Sequence, residues 1–127
     1  MQQISEQEQE IMRIIWEAGD SYMTARDIER RLFALDEKTR NLSSLMTVLA
    51  RLVDKGFLKP EKKFRELTYF VPLVEEAEYK AYATRQFIRG IHKGRLTSFV
   101  SALLEGEQYT QQDIDELRNI LEQKGKP

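Results

Sequence analysis

Cysteine is absent from the 127 residues and histidine occurs once, as His92. The first absence excludes disulfides and thiolate metal sites and fits a reducing cytoplasm, where the chain is expected to act. The second removes most metal and hydrolase constellations, which need several such ligands at fixed spacing. No segment approaches the roughly 20 apolar residues of a membrane span. The opening Met1-Gln2-Gln3-Ile4-Ser5-Glu6 lacks a basic region followed by an apolar run, so neither a leader nor a membrane partner is expected. Gly-rich phosphate loops, zinc-ligand pairs and nucleophile elbows are missing too. The expectation is a non-enzyme with no catalytic residue, no metal site and no cofactor. An excess of positive charge is also lacking: the net charge is -1 and the pI about 5.9, so overall charge gives no nucleic-acid signal.

What is present concentrates between Asn41 and Val71. Leu42, Leu45, Leu49, Leu52 and Val53 recur at three- and four-residue steps, which predicts an amphipathic helix. Asn41 can cap its start and Gly56 can end it in the left-handed conformation. The opposite face carries Ser43, Ser44, Met46, Thr47, Ala50 and Arg51 and no glutamate. So small and hydroxyl-bearing a surface can approach a base edge closely. Leu58 to Lys63 and Leu67 to Pro72 then read as two strands around a basic turn, with Leu67, Tyr69 and Val71 alternating against Thr68 and Phe70. Pro60 cannot donate to a ladder, so the first strand is expected at an edge. From Lys38 to Arg65 eight bases (Lys38, Arg40, Arg51, Lys55, Lys59, Lys62, Lys63, Arg65) face Asp54 and Glu61, a local net charge of +6. A charge run alone is more often a solvated face. Beside this helix and hairpin it points to a DNA reader, because phosphate attraction acts over a Debye length of about 8–10 Å.

The flanking segments complete a helix-turn-helix. Ser5 and Glu8 have capping-box spacing and open a helix through about Ala18, with Ile11, Ile14, Ile15 and Trp16 inward and Gly19-Asp20 as the stop. Tyr22-Met23 is a candidate third strand. Thr24 caps a second helix in which Ile28, Leu32 and Phe33 or Leu35 face inward, and Asp36 to Arg40 is the turn before the recognition helix. The predicted fold is mainly α with a small β-hairpin: a winged helix-turn-helix DNA-binding domain over 1–73, followed by a helical dimerisation region over 74–127.

The ordered set Ile4, Ser5, Glu8, Trp16, Thr24, Ala25, Ile28, then Leu49, Arg51, Leu52, Val53, Lys55, Gly56, then Tyr69, Val71, Pro72, Leu73, Val74 resembles the BlaI/MecI type of bacterial penicillinase and methicillin-resistance repressors. A weaker likeness continues through Glu76 to Tyr79 and Asp115 to Leu121. The resemblance implies a homodimer on a palindromic double-stranded DNA operator. Several family members carry lysines where this chain has Ser43 and Met46. Some are cut at an Asn-Phe bond by a sensor protease, and the corresponding Ala102-Leu103 does not support that specificity. Thiolate copper sensing, found in another branch, has no cysteines to use.

In the last third, Glu75 to Ile91 is expected helical with Tyr79, Tyr82, Ala83, Phe87 and Ile91 inward, and a break falls around His92-Lys93 between Gly90 and Gly94. Arg95 to Leu104 carries Leu96, Phe99, Val100, Leu103 and Leu104 and ends at Glu105-Gly106-Glu107. Thr110 and Asp113 cap a final helix with Ile114, Leu117, Ile120 and Leu121 on one stripe. Three short helices bury too little surface alone. The apolar residues named for them, Tyr79 included and Ala83 apart, are therefore the expected dimer interface, the alternative being that they fold back on their own chain. His92 is expected to be a cap or a surface residue. Arg85, Arg89 and Lys93 share a face that is either a solvated ridge or a phosphate contact.

Expected DNA contacts divide by chemistry. Ser43, Ser44 and Thr47 offer hydrogen bonds to base edges and Met46 an apolar contact to a thymine methyl. Lys38, Arg40 and Arg51 take phosphates near the ends of the 41–55 recognition helix, and Lys62, Lys63 and Arg65 reach backbone from the 58–71 wing. The alternative is a winged helix used as a protein-interaction module without sequence-specific DNA binding.

Overall fold

A computed structural model describes residues 1–38, 40–106 and 108–125. The capping signals act as expected. The Ser5 hydroxyl accepts from the Glu8 amide and the Glu8 carboxylate accepts from the Ser5 amide, opening α1 (Glu6–Glu17). Thr24 and Asp27 exchange the same pair of bonds at the start of α2 (Ala25–Asp36). The Asn41 side chain accepts from the Ser43 amide and starts α3 (Leu42–Asp54), and Gly56, at φ +81°, releases the chain into the hairpin.

Strands β1 (Leu58–Lys62) and β2 (Thr68–Pro72) pair antiparallel with Leu58 opposite Pro72 and Lys62 opposite Thr68. Met23 bridges Phe70 on the other side of β2, so β1, with Pro60, is an edge. Phe70 is the core-facing member of β2; Tyr69 and Val71 are only half-buried and Leu67 is exposed. The alternation is therefore real, and its buried phase is the one carrying Phe70.

Two compact units result, Met1–Ala83 and Thr84–Pro127. The first has a continuous core of Ile11, Met12, Ile14, Ile15, Ile28, Leu32, Leu45, Val48, Leu49, Leu52, Phe57, Leu58 and Phe70. Its limit falls ten residues beyond the boundary expected after residue 73. The reason is aromatic packing by the first half of α4 (Glu76–Ile91). Tyr79 is 5% exposed, its ring meets Phe57 edge-on at 5.4 Å, and its hydroxyl accepts a 3.0 Å hydrogen bond from the Ile4 amide. Tyr82 packs against the same core, and Trp16 is half-buried there with Nε1 donating to the Val74 carbonyl at 2.8 Å. Tyr79, expected at a dimer interface, is thus spent inside its own unit, with Tyr82 beside it.

Phe33 and Leu35 are a second correction, since both are exposed, Leu35 to 66%. Phe33 lies one 100° step round from Leu32, and Leu35 sits in the last turn before Glu37, in left-handed conformation, redirects the chain.

The second unit holds the end of α4, then α5 (Leu96–Gly106) and α6 (Gln111–Gly125). Lys93 and Gly94 adopt positive φ and break the chain between α4 and α5, whereas Gly90 and Gly106 lie within helices. Thr110 and Asp113 exchange capping bonds at the start of α6. His92 stacks edge-on with Phe87 and Phe99, centroids 5.6 Å away, and its Nδ1 lies 3.0 Å from the Ser98 hydroxyl. Glu107, expected to help close α5, and residues 126–127 of the expected C-terminal region lie outside the described residues.

Candidate nucleic-acid interface

Helix α3 buries Leu45, Val48, Leu49 and Leu52, which turns the remaining face outward. Ser43, Ser44, Met46, Thr47, Ala50 and Arg51 are all exposed, Met46 to 45%. No acidic residue occupies the first turn, so the positive end of the helix dipole is left uncompensated and suited to an anion. Thr47 donates its hydroxyl proton to the Ser43 carbonyl at 3.1 Å. What it presents outward is therefore an acceptor, the complement of an adenine or cytosine amino group rather than of a guanine carbonyl.

The helix is pinned at both ends to α1. Beyond its C-terminus, Lys55 Nζ lies 2.7 Å from Glu8 Oε1, a carboxylate only 2% exposed. Burial alone raises the Glu8 carboxyl. The hydrogen bonds from Lys55 and Ser5, with the Lys55 charge, outweigh it and hold Glu8 below the ordinary carboxylate range. Just before the N-terminus, Arg40 is 3.6 Å from Glu10 and makes a tight two-nitrogen contact with Asp36. Asp36 is lowered by that hydrogen bond first and by the Lys38 amide second. Arg40, expected on phosphate, is thus engaged in joining α1, α2 and the start of α3.

On the wing, the cations are partly answered from within. Lys59 and Lys63 share Glu61 at 3.5 and 3.7 Å, and Lys62 reaches Glu66 at 3.8 Å. Lys63 Nζ also stands 4.1 Å over the Tyr22 ring, which ties the wing to the turn between α1 and α2. Such solvent-exposed pairs are worth about 0–1 kcal/mol, so phosphate can replace their carboxylates at little cost. Lys38, Arg51 and Arg65 form no ion pair among the described residues. Of the eight bases between Lys38 and Arg65, Lys55 and Arg40 serve the scaffold and the rest line the recognition helix, its entry and the wing.

Sequence reasoning missed Lys55 and Tyr22 as positioning groups. The Glu8 half of the first pair was legible as a cap; its partner, 47 residues on, was not. Among the described residues no group of three His, Asp or Glu side chains could hold a metal ion, and no helix is long and apolar enough to cross a membrane.

A three-helix unit with an exposed recognition helix and a two-stranded hairpin after it defines a winged helix-turn-helix protein. The penicillinase repressor family model matches residues 4–123, and the chain belongs to that family. It is 34% identical over 122 residues to the methicillin resistance regulatory protein MecI of Staphylococcus aureus (strain N315), covering 96% of this chain and 95% of the relative. It is 32% identical over 123 residues to the penicillinase repressor of Bacillus licheniformis, covering 95% and 91%. Among solved structures, the complex of hsRosR-S4 shares the fold with a TM-score of 0.54 over 80% of this chain and 90% of that one, at 14% identity.

Proposed function

We propose that the chain is a dimeric transcriptional repressor that reads a palindromic DNA operator, with α3 in the major groove and the β1–β2 wing on the flanking backbone. The observation that carries this reading is the outer face of α3, where Ser43, Ser44, Met46, Thr47, Ala50 and Arg51 are exposed and a carboxylate, Asp54, comes in only at the last residue of the helix. Ser43, Ser44 and Thr47 meet base edges, and Met46 meets a thymine methyl. Arg51, Lys38 and Arg65 hold phosphate, joined by Lys62 and Lys63 once their carboxylates are released. Family membership supports the reading, since the relatives named above are penicillinase and methicillin-resistance repressors.

What supports a dimer is the apolar surface of the second unit. None of its described residues is buried, and Phe87, Ile91, Leu96, Leu103, Leu104, Ile120 and Leu121 are exposed. Phe99, Val100, Ile114 and Leu117 are half-buried beside them. A two-fold partner covering this surface would set two recognition helices about 34 Å, one DNA turn, or a multiple apart.

Selection of bound fragments from the source genome by purified protein tests the reading. Enrichment of a two-fold-symmetric sequence is expected, with affinity falling steeply in salt. Retention of no fragment at moderate salt would overturn it in favour of a protein-interaction module, a reading that the paired lysines of the wing favour.

A further inference from the structure

The wing ends in a feature that phosphate binding does not use. The Lys63 amide donates to the Leu67 carbonyl at 3.1 Å, and the Leu67 amide donates to the Phe64 carbonyl at 3.2 Å. Between them Arg65 and Glu66 have φ of 57° and 62°, the mirror-image tight turn that ordinarily selects Asn-Gly. Two charged, non-glycine residues therefore occupy positions that disfavour side chains. At the ends of this turn stand Phe64, 83% exposed and the most exposed large apolar side chain among the described residues, and Leu67, 48% exposed. Lys62, Lys63 and Arg65 flank Phe64 directly. An aromatic side chain held in water at the tip of a cationic hairpin has no partner in its own chain's core.

We propose that Phe64, with Leu67 beside it, is an apolar wedge that enters the minor groove next to the recognised major groove and partly unstacks a base step there. This rests on the DNA-reading function proposed above and adds a contact to it. A five-residue strand extends about 17 Å, close to the half-turn, about 17 Å of the roughly 34 Å repeat, by which a minor groove follows the neighbouring major groove. Lys62, Lys63 and Arg65 would meet phosphates on the rims of that groove while the neutral ring goes between them. Apolar wedges of this kind kink the duplex and favour flexible pyrimidine–purine steps. Phe64 would thus add sequence preference at positions where no side chain reads a base edge.

The test uses the full-length protein and a duplex selected by it from a random-sequence pool, with 2-aminopurine placed at successive flanking steps. Binding of the unaltered protein is expected to raise fluorescence at one flanking step on each side. F64A is expected to abolish that rise and bind roughly tenfold more weakly with an unchanged salt slope, as for loss of one stacked contact. F64W should keep the signal. Because the side chain is almost fully exposed, F64A leaves the core intact. If the unaltered protein selects a sequence but gives no flanking signal, or if F64A binds as tightly as the unaltered protein, the wedge is overturned and the repressor reading stands. Selection of no sequence at all would overturn both.

Discussion

The two units spend their apolar residues differently. Among the described residues of Met1–Ala83 sixteen hydrophobic side chains are buried, from Ile4 to Tyr79; among those of the second unit none is buried, although α5 is the most apolar helix in composition. The first unit is held by its own chain, through aromatic contacts around Tyr79 and ion pairs at both ends of α3. Among its described residues the second has the aromatic cluster of Phe87, His92 and Phe99 and leaves larger aliphatic groups such as Ile91, Leu96 and Ile120 in water. Stability should therefore be intrinsic in the first and concentration-dependent in the second.

The largest effect should come from opening the first core. Phe57→Ala is expected to destabilise by about 3–5 kcal/mol in urea unfolding, because a fully buried ring is lost against Tyr79. Leu103→Asp with Leu104→Asp should scarcely move the urea midpoint of the first unit. It should instead convert the sedimenting species from dimer to monomer, a loss of about 3 kcal/mol in association. A monomeric parent protein would remove the contrast at once.

Lys55→Met tests what holds α3 on α1. A cost of about 2 kcal/mol is expected, below that of a fully buried pair because the lysine is partly exposed. Glu8 has a lowered value in the folded state, so its contribution is full above the ordinary carboxylate range and is lost as the pH falls through its folded value. Without Lys55 only the Ser5 bonds offset burial and Glu8 rises, so the stability gap between the two proteins should be full near neutral pH and shrink as the pH falls through the folded value of Glu8 in the unaltered protein. A stability gap that stays the same at every pH would deny the pair this role.

Smaller effects belong to the surface. Arg51→Ala should weaken all duplexes several-fold and reduce the salt slope by about 1, whereas a change at Thr47 should alter the ranking of operators. Tyr22→Leu removes the ring under Lys63 and should cost well under 1 kcal/mol in folding, with a modest loss of DNA affinity.

Much of this was legible beforehand for a local reason. Capping boxes, the Asn41 cap, the Gly56 stop and the edge proline act within a few residues, so Ser5, Thr24, Asn41, Gly56 and Pro60 do in the fold what their spacing implies. The outer face of α3 was legible for the same reason, since a 3.6-residue period that buries Leu45, Leu49 and Leu52 must turn Ser43, Met46 and Thr47 out. Misreadings occurred where distant segments meet. Lys55 reads as a free base because Glu8 is remote in sequence, Arg40 reads so although Asp36 stands only four residues before it, its remote contact being Glu10, and Tyr79 reads as interface because nothing local reveals Phe57 beneath it.

By itself, then, the sequence determined the helices, their ends, the hairpin and the side of α3 that faces solvent, all consequences of short-range hydrogen bonding and periodicity. Only the tertiary structure decided which charges serve the scaffold, that the first unit runs on to Ala83, and that Phe64 stands in water at the tip of the wing. Those outcomes depend on which residues far apart in the chain come within a few ångströms of one another, and no local pattern encodes that distance.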